Sequence, residues 1–249
     1  LMASVVAPGT SVIDNAAREP EIVDLANMLN AMGAHVEGAG TPTITVKGVA
    51  LSEMRPCEHT TVGDRIEAGT FLTAGALLGG PVTVQGIDPS YLRMALMKLE
   101  HMGCDISTTE DSITVSRTQL CAPPTFRRFL ILDSPPIFKP SSCFWLFAEG
   151  NSVISENIFE NRFMFASELN RMGSRIAVEG HHALVQGVSK LEGAPVSSPD
   201  LRGGAALVIA GLAAEGETVV HDIHHIDRGY EDYVGKLHAI GANVERKTL

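Results

Sequence analysis

Apolar and polar positions along the chain follow one order that recurs four times. Each copy opens with a glycine and a short β-rich run, SVI, VTV, SVI or TVV, and continues into a stretch with apolar residues at helical spacing. The pattern predicts a strand followed by an amphipathic helix in every copy. The opening glycines recur about every 70 residues, at Gly9, Gly80, Gly150 and Gly216.

A second glycine ends each predicted helix, at Gly33, Gly103, Gly173 and Gly241. Further β runs follow it, HVEG, DIS, RIAV and NVER, often with another strand such as TITVKGV, SITVS or ALVQGV. A second helix precedes the opening glycine in DRIEAGTFLTAGALLGG and DLRGGAALVIAGLAAEG, and LMASVVAPG reads as the end of such a helix. The predicted unit is strand, helix, two strands, helix. Such repeats imply an α/β fold with a shared helical core and sheets around it.

The third copy departs from this plan over residues 117–147, which overlap the string FRRFLILDSPPIFKPSSCFWLFAEG of residues 126–150. A helix is expected near residues 130–149, yet Pro135, Pro136 and Pro140 fall inside it. Each proline in a helix interior costs roughly 3 kcal/mol, so the local sequence conflicts with the repeat.

Composition excludes several classes of protein. The 249 residues, 45% of them hydrophobic, are enough for one large domain or two ordinary ones. A net charge of −10 argues against a nucleic-acid partner. The sequence contains no apolar run of about 18 residues, so it predicts no membrane-spanning helix. The N-terminus lacks the basic start of a signal peptide.

The cysteines and histidines do not predict a disulfide framework or a metal site. The four cysteines are widely spaced, which favours a location in the reducing cytoplasm. They are Cys57, Cys104, Cys121 and Cys143. His221, His224 and His225 lie in a strand-to-loop run without the carboxylate and cysteine ligands that a metal site needs.

Several long strings together resemble the UDP-N-acetylglucosamine 1-carboxyvinyltransferase family of enolpyruvyl transferases. They are NAAREPEIVDLANMLNAMGA, DRIEAGTFL, IFENRFMFASELNRMG, LEGAPV, DLRGGAALVIAGLAAEGETVV and HIDRGYEDYVGKLHAIGANVER. The resemblance covers nearly all of the chain outside residues 117–147. It implies an inverted α/β barrel in two domains, incomplete here, with 1–62 a remnant of the first domain and 63–249 the C-terminal domain. A monomer is expected.

The resemblance also implies an activity. The family transfers the enolpyruvyl group of phosphoenolpyruvate to the 3-hydroxyl of UDP-N-acetylglucosamine, the first committed step of peptidoglycan precursor synthesis, and needs no metal or organic cofactor. It thereby serves cell-wall biogenesis, cell shape and division. The family's loop cysteine, which is acid and phosphoenolpyruvate acceptor, its Lys-Asn pair and a phosphate-binding arginine have no counterpart here. This chain alone is therefore expected to be inactive.

Two alternatives stay open from the sequence. The chain could be a non-catalytic α/β repeat remnant or scaffold. It could also belong to an enolpyruvyl transferase that acts on another acceptor, such as shikimate 3-phosphate.

Polyanionic substrates of this kind call for arginines and helix N-termini. Arg162 and Arg228 follow the opening glycines of their copies by the same number of residues. From the residues alone they read as surface arginines pairing with Glu160 and Asp227, and Asp200 as a helix N-cap.

The resemblance gives these positions functional roles. It implies that Asp200 and Arg228 are catalytic, and that substrate binding falls to Ile158, Phe159, Arg162, Arg202 and Arg228. It gives weaker roles near the cleft, in loop control, to Arg18, Glu19 and Glu21, and a similarly weak role near the domain boundary to Arg65. The family continues D-L-R-A-S-A where this chain has Gly203 and Gly204, which predicts a looser helix start.

The departing stretch has an explanation in the genetic code. Read out of frame, the codons of TFRRFLIL and of DSPPIFKPSSC, residues 133–143, permit I-Q-T-L-P-Y-P-G followed by F-P-T-D-I-Q-A-Q-F-M, which is close to the family motif T-L-P-Y-P-G-F-P-T-D-M-Q-A-Q-F-M. We hypothesise two compensating frameshifts, in the gene or its sequencing, near residues 117–122 and 145–148. The translated chain would then lack the family's catalytic aspartate. Resequencing the gene tests this, since an uninterrupted frame that encodes DSPPIFKPSS would refute it.

Overall fold

The computed structural model describes residues 1–117, 130–131, 146–147, 150–156 and 163–247 of the chain. They form an α/β protein with two compact units, residues 1–63 and 64–249. The unit boundary lies just before Asp64, which caps the first helix of the second unit. That the first unit is a remnant of another domain stays a prediction.

The first unit contains one complete repeat. Its elements are α1 (Met2–Val5), β1 (Thr10–Asp14), α2 (Pro20–Ala31), β2 (His35–Glu37), β3 (Thr43–Lys47) and a 3₁₀ turn (Leu51–Glu53). The sheet has the order β1-β3-β2, and both pairings are antiparallel. Residues from α1, α2 and the strands form its hydrophobic core, among them Val5, Leu29 and Val46. The segment LMASVVAPG contains the four-residue helix α1, and its interpretation as the end of a longer helix stays a prediction.

The second unit begins with a long buried helix and a second repeat. Its first elements are α3 (Arg65–Leu78), β4 (Val82–Gln85), a 3₁₀ turn (Pro89–Leu92), α4 (Arg93–His101), β5 (Asp105–Thr108) and β6 (Ser112–Ser116). The sheet order β4-β6-β5 repeats that of the first unit.

The rest of the second unit holds the third and fourth copies. Its elements are β7 (Leu130–Ile131), β8 (Asn151–Ser155), α5 (Phe165–Arg171), β9 (Arg175–Glu179), β10 (His182–Gln186), β11 (Pro195–Ser197), α6 (Leu201–Ala213), β12 (Val219–His221), α7 (His224–Asp227) and α8 (Tyr233–Ala239). One sheet has the order β7-β8-β10-β9. In the other, β11 pairs with β12 in parallel.

Helices α3 and α6 contact each other and form the centre of the second unit. Both helices are buried along most of their length, and they carry apolar or small residues on every side, including Leu72, Ala76, Leu207 and Ile209. A helical core with sheets around it is therefore confirmed. The described strands form four separate sheets, and their closure into an inverted barrel stays a prediction.

The fourth copy differs from expectation in one respect. The run NVER, residues 243–246, was expected as a strand, but the chain has no regular structure there. The physical reason is that a strand needs a hydrogen-bonded neighbour, and no described strand lies beside this run.

Several other expectations concern residues with little or no description. The proline-rich stretch and its frameshift hypothesis lie outside the described residues, apart from positions 130–131 and 146–147. Within the described chain, no helix combines the length and apolarity that crossing a membrane requires. The same residues contain no cluster of metal-ligating side chains.

Candidate functional site: the N-terminal end of α6

The predicted residue Asp200 caps helix α6. Its Oδ1 accepts hydrogen bonds from the backbone N–H groups of Arg202 at 3.0 Å and Gly203 at 2.8 Å. These hydrogen bonds confirm that Asp200 is the N-cap of the helix. The cap also fixes the orientation of the carboxylate at the positive end of the helix dipole, where anions are stabilised.

The helix start is tightly packed, not loosened by its glycines. Gly203 and Gly204 are buried, and a Cβ on Gly204 would lie 2.8 Å from Cγ1 of Ile226. The glycines let α6 approach its neighbours closely. The expectation of a looser start is therefore wrong, because the close approach of α7 and of the segment before α6 leaves no room for a side chain.

Arg202 lies against the ring of Tyr230. Its guanidinium carbon is 5.2 Å from the ring centroid, a cation–π geometry. The Nη1 atom of Arg202 is buried and has no hydrogen-bond partner among the described residues. A buried guanidinium nitrogen in this condition has donor capacity for an anionic ligand.

Tyr230 joins the two central helices. It is 3% exposed, and its hydroxyl lies 2.8 Å from Oγ1 of Thr70 on α3. Burial raises the pKa of Tyr230, while the charge of Arg202 and the hydrogen bond with Thr70 act in the opposite direction. Tyr230 thereby holds Arg202 in place. Sequence reasoning missed this role, and the one available signal was the position of the tyrosine in the string HIDRGYE.

Arg228 is exposed, and the neighbouring Asp227 forms an ion pair with a different arginine. Asp227 binds Arg246 through two hydrogen bonds, of 2.9 and 2.6 Å. Arg228 makes no ion pair with any residue that the structure describes. The expectation of a surface pair between Arg228 and Asp227 is therefore wrong, since Arg246 presents its planar fork to both carboxylate oxygens.

The backbone beside Arg228 packs on the start of α6. A Cβ on Gly229 would lie 2.5 Å from Cδ2 of Leu201, the first residue of the helix. Arg228 thus follows α7 at the end of the molecule where Asp200 caps α6 and Arg202 contacts Tyr230. The structure brings these three predicted residues to one region.

Arg65 begins the neighbouring helix α3, where Asp64 is the N-cap. Asp64 accepts from the N–H groups of Ile66 at 2.7 Å and Glu67 at 3.1 Å, and its charge acts on Tyr230. A second capped helix start therefore lies near Tyr230. Arg65 is buried there, at 6% exposure.

The remaining predicted substrate-binding residues, Ile158, Phe159 and Arg162, lie outside the described residues. Arg18, Glu19 and Glu21 belong to the first unit, at the start of α2.

Cys104 is free and buried, and burial raises the pKa of its thiol to about 11. A reactive cysteine needs a lowered pKa, so the environment of Cys104 suits a packing role. This agrees with the expectation that Cys104 is not the family's loop cysteine.

Comparison with known proteins decides the family. The family model described as EPSP synthase (3-phosphoshikimate 1-carboxyvinyltransferase) matches residues 1–237. The chain belongs to this family.

Relatives within the family are similar along almost the whole chain. A UDP-N-acetylglucosamine 1-carboxyvinyltransferase of Corynebacterium jeikeium is 46% identical over 247 residues, which are 99% of this chain and 59% of the relative. A protein of the same name from Xylella fastidiosa is 49% identical over 257 residues, covering 100% of this chain and 58% of its own length. The chain thus spans less than two thirds of these family members.

Solved structures of family proteins share the fold. The enolpyruvyl transferase NikO from Streptomyces tendae superposes with a TM-score of 0.84 at 29% identity, covering 96% of this chain and 57% of that one. EPSP synthase from Acinetobacter baumannii gives a TM-score of 0.71 at 18% identity, over 100% of this chain and 60% of that one. The second likeness concerns the fold alone.

Proposed function

We propose that this chain supplies the anion-binding residues of an enolpyruvyl transferase that acts on UDP-N-acetylglucosamine and phosphoenolpyruvate in peptidoglycan precursor synthesis. The names of the relatives at 46% and 49% identity support this acceptor. The single observation that carries the proposal is the region at the start of α6. There the buried Nη1 atom of Arg202 has no hydrogen-bond partner among the described residues, and Arg228 has no acidic partner among them.

The two arginines would bind the negative groups of phosphoenolpyruvate. Guanidinium forks pair with carboxylate and phosphate oxygens in two parallel hydrogen bonds, and the capped N-terminus of α6 adds its dipole. In the reaction the sugar oxygen bonds to the enolpyruvyl carbon, the bond from that carbon to the phosphate oxygen breaks, and the hydroxyl proton goes to a base. Arg228 would stabilise the departing phosphate.

Asp200 has a positioning and electrostatic part in this proposal. Its cap holds the carboxylate next to Arg202, where it orients the helix start that faces the substrate. Ile158, Phe159 and Arg162 would contact the UDP-sugar, as the resemblance implies. The predicted cytoplasmic location and the absence of a cofactor belong to the same proposal.

Calorimetric titration of the 249-residue chain tests the binding role. We expect saturable binding of UDP-N-acetylglucosamine, and then of phosphoenolpyruvate to the saturated chain. Arg228→Ala should weaken the second step by at least about tenfold, since hydrogen bonds to charged groups contribute about 1.5–3 kcal/mol. Arg171→Ala removes an exposed arginine of α5 and is the matched control, with unchanged affinity expected. A chain without specific heat for either ligand would instead be a scaffold.

A second acceptor is the other candidate, because the family model is named for 3-phosphoshikimate and NikO is an enolpyruvyl transferase of high structural similarity. The same titration with shikimate 3-phosphate separates the two. Specific heat with shikimate 3-phosphate and none with UDP-N-acetylglucosamine would reverse the assignment.

Turnover is a separate question from binding. We expect no phosphate release when the pure chain is mixed with both substrates, because the family's cysteine acid has no counterpart in these residues and catalysis needs all groups at one point. Measurable turnover in a phosphate-release assay would contradict this.

A further inference from the structure

Thr70, in the second turn of helix α3, is buried at 1% exposure and takes part in two hydrogen bonds. Its hydroxyl donates to the backbone carbonyl of Ile66 at 2.8 Å, and its Oγ1 lies 2.8 Å from the hydroxyl oxygen of Tyr230. A threonine hydroxyl has one hydrogen to donate, and a carbonyl has none. Both bonds can therefore exist together only if Tyr230 donates its hydrogen to Thr70.

The hydroxyl oxygen of Tyr230 is consequently an acceptor for its other neighbours. An arginine side chain can only donate hydrogen bonds, and the guanidinium carbon of Arg202 lies 5.2 Å from the centroid of the tyrosine ring. Burial raises the pKa of Tyr230, and the charge and hydrogen bonding of Arg202 oppose this shift. Donation thus runs in one direction, from Arg202 of α6 through Tyr230 to Thr70 of α3.

The ring of Tyr230 is held by contacts that do not involve Thr70. Its centroid is 4.8 Å from that of Tyr233, whose ring meets Phe71 of α3 edge-on at 5.7 Å. The hydroxyl of Tyr233 donates to the carbonyl of Ala205 on α6 at 3.3 Å. Replacing the Thr70 hydroxyl by a methyl group should therefore leave the ring in place and change only the hydrogen bonding of the Tyr230 hydroxyl.

We propose that Thr70 is a positioning residue for the anion-binding region at the start of α6, an inference that rests on the proposed function. By accepting the hydrogen of Tyr230, Thr70 presents the tyrosine oxygen to Arg202 as an acceptor. This acceptor restrains the guanidinium, whose Nη1 atom has no hydrogen-bond partner among the described residues. Nη1 is then held where a carboxylate or phosphate oxygen of phosphoenolpyruvate would bind.

Thr73 provides a matched control on the same helix. It is buried at 2% exposure, and its hydroxyl donates to the carbonyl of Gly69 at 2.7 Å, just as Thr70 donates to that of Ile66. No hydrogen bond within the described chain joins Thr73 to Tyr230. Thr70→Val and Thr73→Val thus lose equivalent bonds to the helix backbone, but Thr70→Val alone removes the acceptor of Tyr230. Thr70→Ser keeps that acceptor.

The first measurement needs no ligand. With isotope-labelled arginine in the 249-residue chain, NMR exchange spectra give the rate at which the Arg202 guanidinium rotates about its Nε–Cζ bond, and Arg202→Lys assigns the signal. We expect Thr70→Val to accelerate this rotation by about fivefold, because the guanidinium loses its oriented acceptor. Thr70→Ser and Thr73→Val should keep the original rate. In a Tyr230→Phe background Thr70→Val should add little, since the hydroxyl through which it acts is gone.

The second measurement is calorimetric titration of the chain, saturated with UDP-N-acetylglucosamine, with phosphoenolpyruvate. The Kd should increase by about fivefold in Thr70→Val and stay unchanged in Thr70→Ser and Thr73→Val. Thr70→Ala also lacks the hydroxyl, so it should behave like Thr70→Val and replaces that variant if it does not fold.

Three results would overturn the proposal: equal rotation rates in Thr70→Val and Thr73→Val, faster rotation in Thr70→Ser as well, or an unchanged Kd despite faster rotation in Thr70→Val. A different result would separate the two proposals. If even the original chain does not bind phosphoenolpyruvate while Thr70→Val still accelerates the rotation, the restraint of Arg202 by Thr70 is supported and the proposed function alone fails.

Discussion

Tyr230 makes contacts from one side chain to two helices that are far apart in the sequence. Its ring supports Arg202 of α6, and its hydroxyl lies within hydrogen-bond distance of Thr70 of α3. Since the hydroxyl is buried, the hydrogen bond replaces one that water would provide in the unfolded chain. The position of Arg202 therefore depends on a residue that does not itself need to touch a ligand.

Tyr230→Phe should lower the free energy of unfolding by about 1–2 kcal/mol, because it leaves a buried polar site without its partner. Urea unfolding at neutral pH measures this. Tyr91→Phe is the matched control, since Tyr91 is partly exposed and its loss should change stability little. A Tyr230→Phe protein as stable as the original would show that the hydroxyl contributes nothing net.

The same residue predicts a pH dependence. Burial raises the pKa of Tyr230, so the unfolded chain loses this proton at a lower pH than the folded chain does. The contribution of Tyr230 to the free energy of unfolding is fully present below the ordinary tyrosine pKa of about 10, and it decreases as the pH rises above that value. Tyr230→Phe should make the decline in stability above about pH 10 shallower. An unchanged slope in urea midpoints would contradict the assignment to Tyr230.

At the residue level, the sequence predicted the N-cap at Asp200, where the signal was local. Asp200, Arg202 and Arg228 could be singled out from a helix start, a repeated offset and a family string. Contacts between residues far apart in the sequence could not be predicted. Thr70 and Tyr230 are 160 positions apart, and Arg246 forms its hydrogen bonds with Asp227 across 19 positions. No periodicity or spacing encodes such pairs.

At the scale of elements, the sequence predicted a helix within DRIEAGTFLTAGALLGG, and the structure has α3 there. Asp64 caps α3, and Gly79 ends it in the left-handed conformation at φ 86°. The structure of the run 243–246 could not be predicted, because its amino acids suit a strand but a strand also needs a hydrogen-bonded neighbour. A pattern within one segment predicts what that segment can form, and the neighbouring segments decide whether it forms.

Helix α6 gives the sharpest test at this scale. Gly204→Ala should destabilise the protein by about 1–3 kcal/mol, because the new Cβ would overlap Ser198 and Ile226. Gly203→Ala should cost less, since its nearest atoms, in Phe165 and Pro199, are 3.1 Å away. Urea midpoints of the two variants provide the comparison. Helix propensity alone would make both variants more stable by up to about 1 kcal/mol, and that outcome would contradict the packing argument.

At the scale of the whole molecule, each unit has a hydrophobic core of its own. The first is built from residues 5–46, and the second contains the buried helices α3 and α6. We expect a fragment of residues 64–249 to fold cooperatively, with a urea midpoint within about 0.3 M of its transition in the full chain. The control is residues 1–63, which should be less stable because a domain of about 60 residues buries a smaller share of its surface. A non-cooperative 64–249 fragment would contradict this prediction.

The ion pair between Asp227 and Arg246 has a consequence that reaches across the second unit. Arg246 lies in the irregular run 243–246, and Asp227 immediately precedes Arg228. A ligand that orders the backbone at Arg228 would therefore also favour the ion pair. Such linkage is reciprocal, so breaking the pair should weaken binding of the ligand by the same factor. Because the pair is exposed, added salt should weaken this coupling.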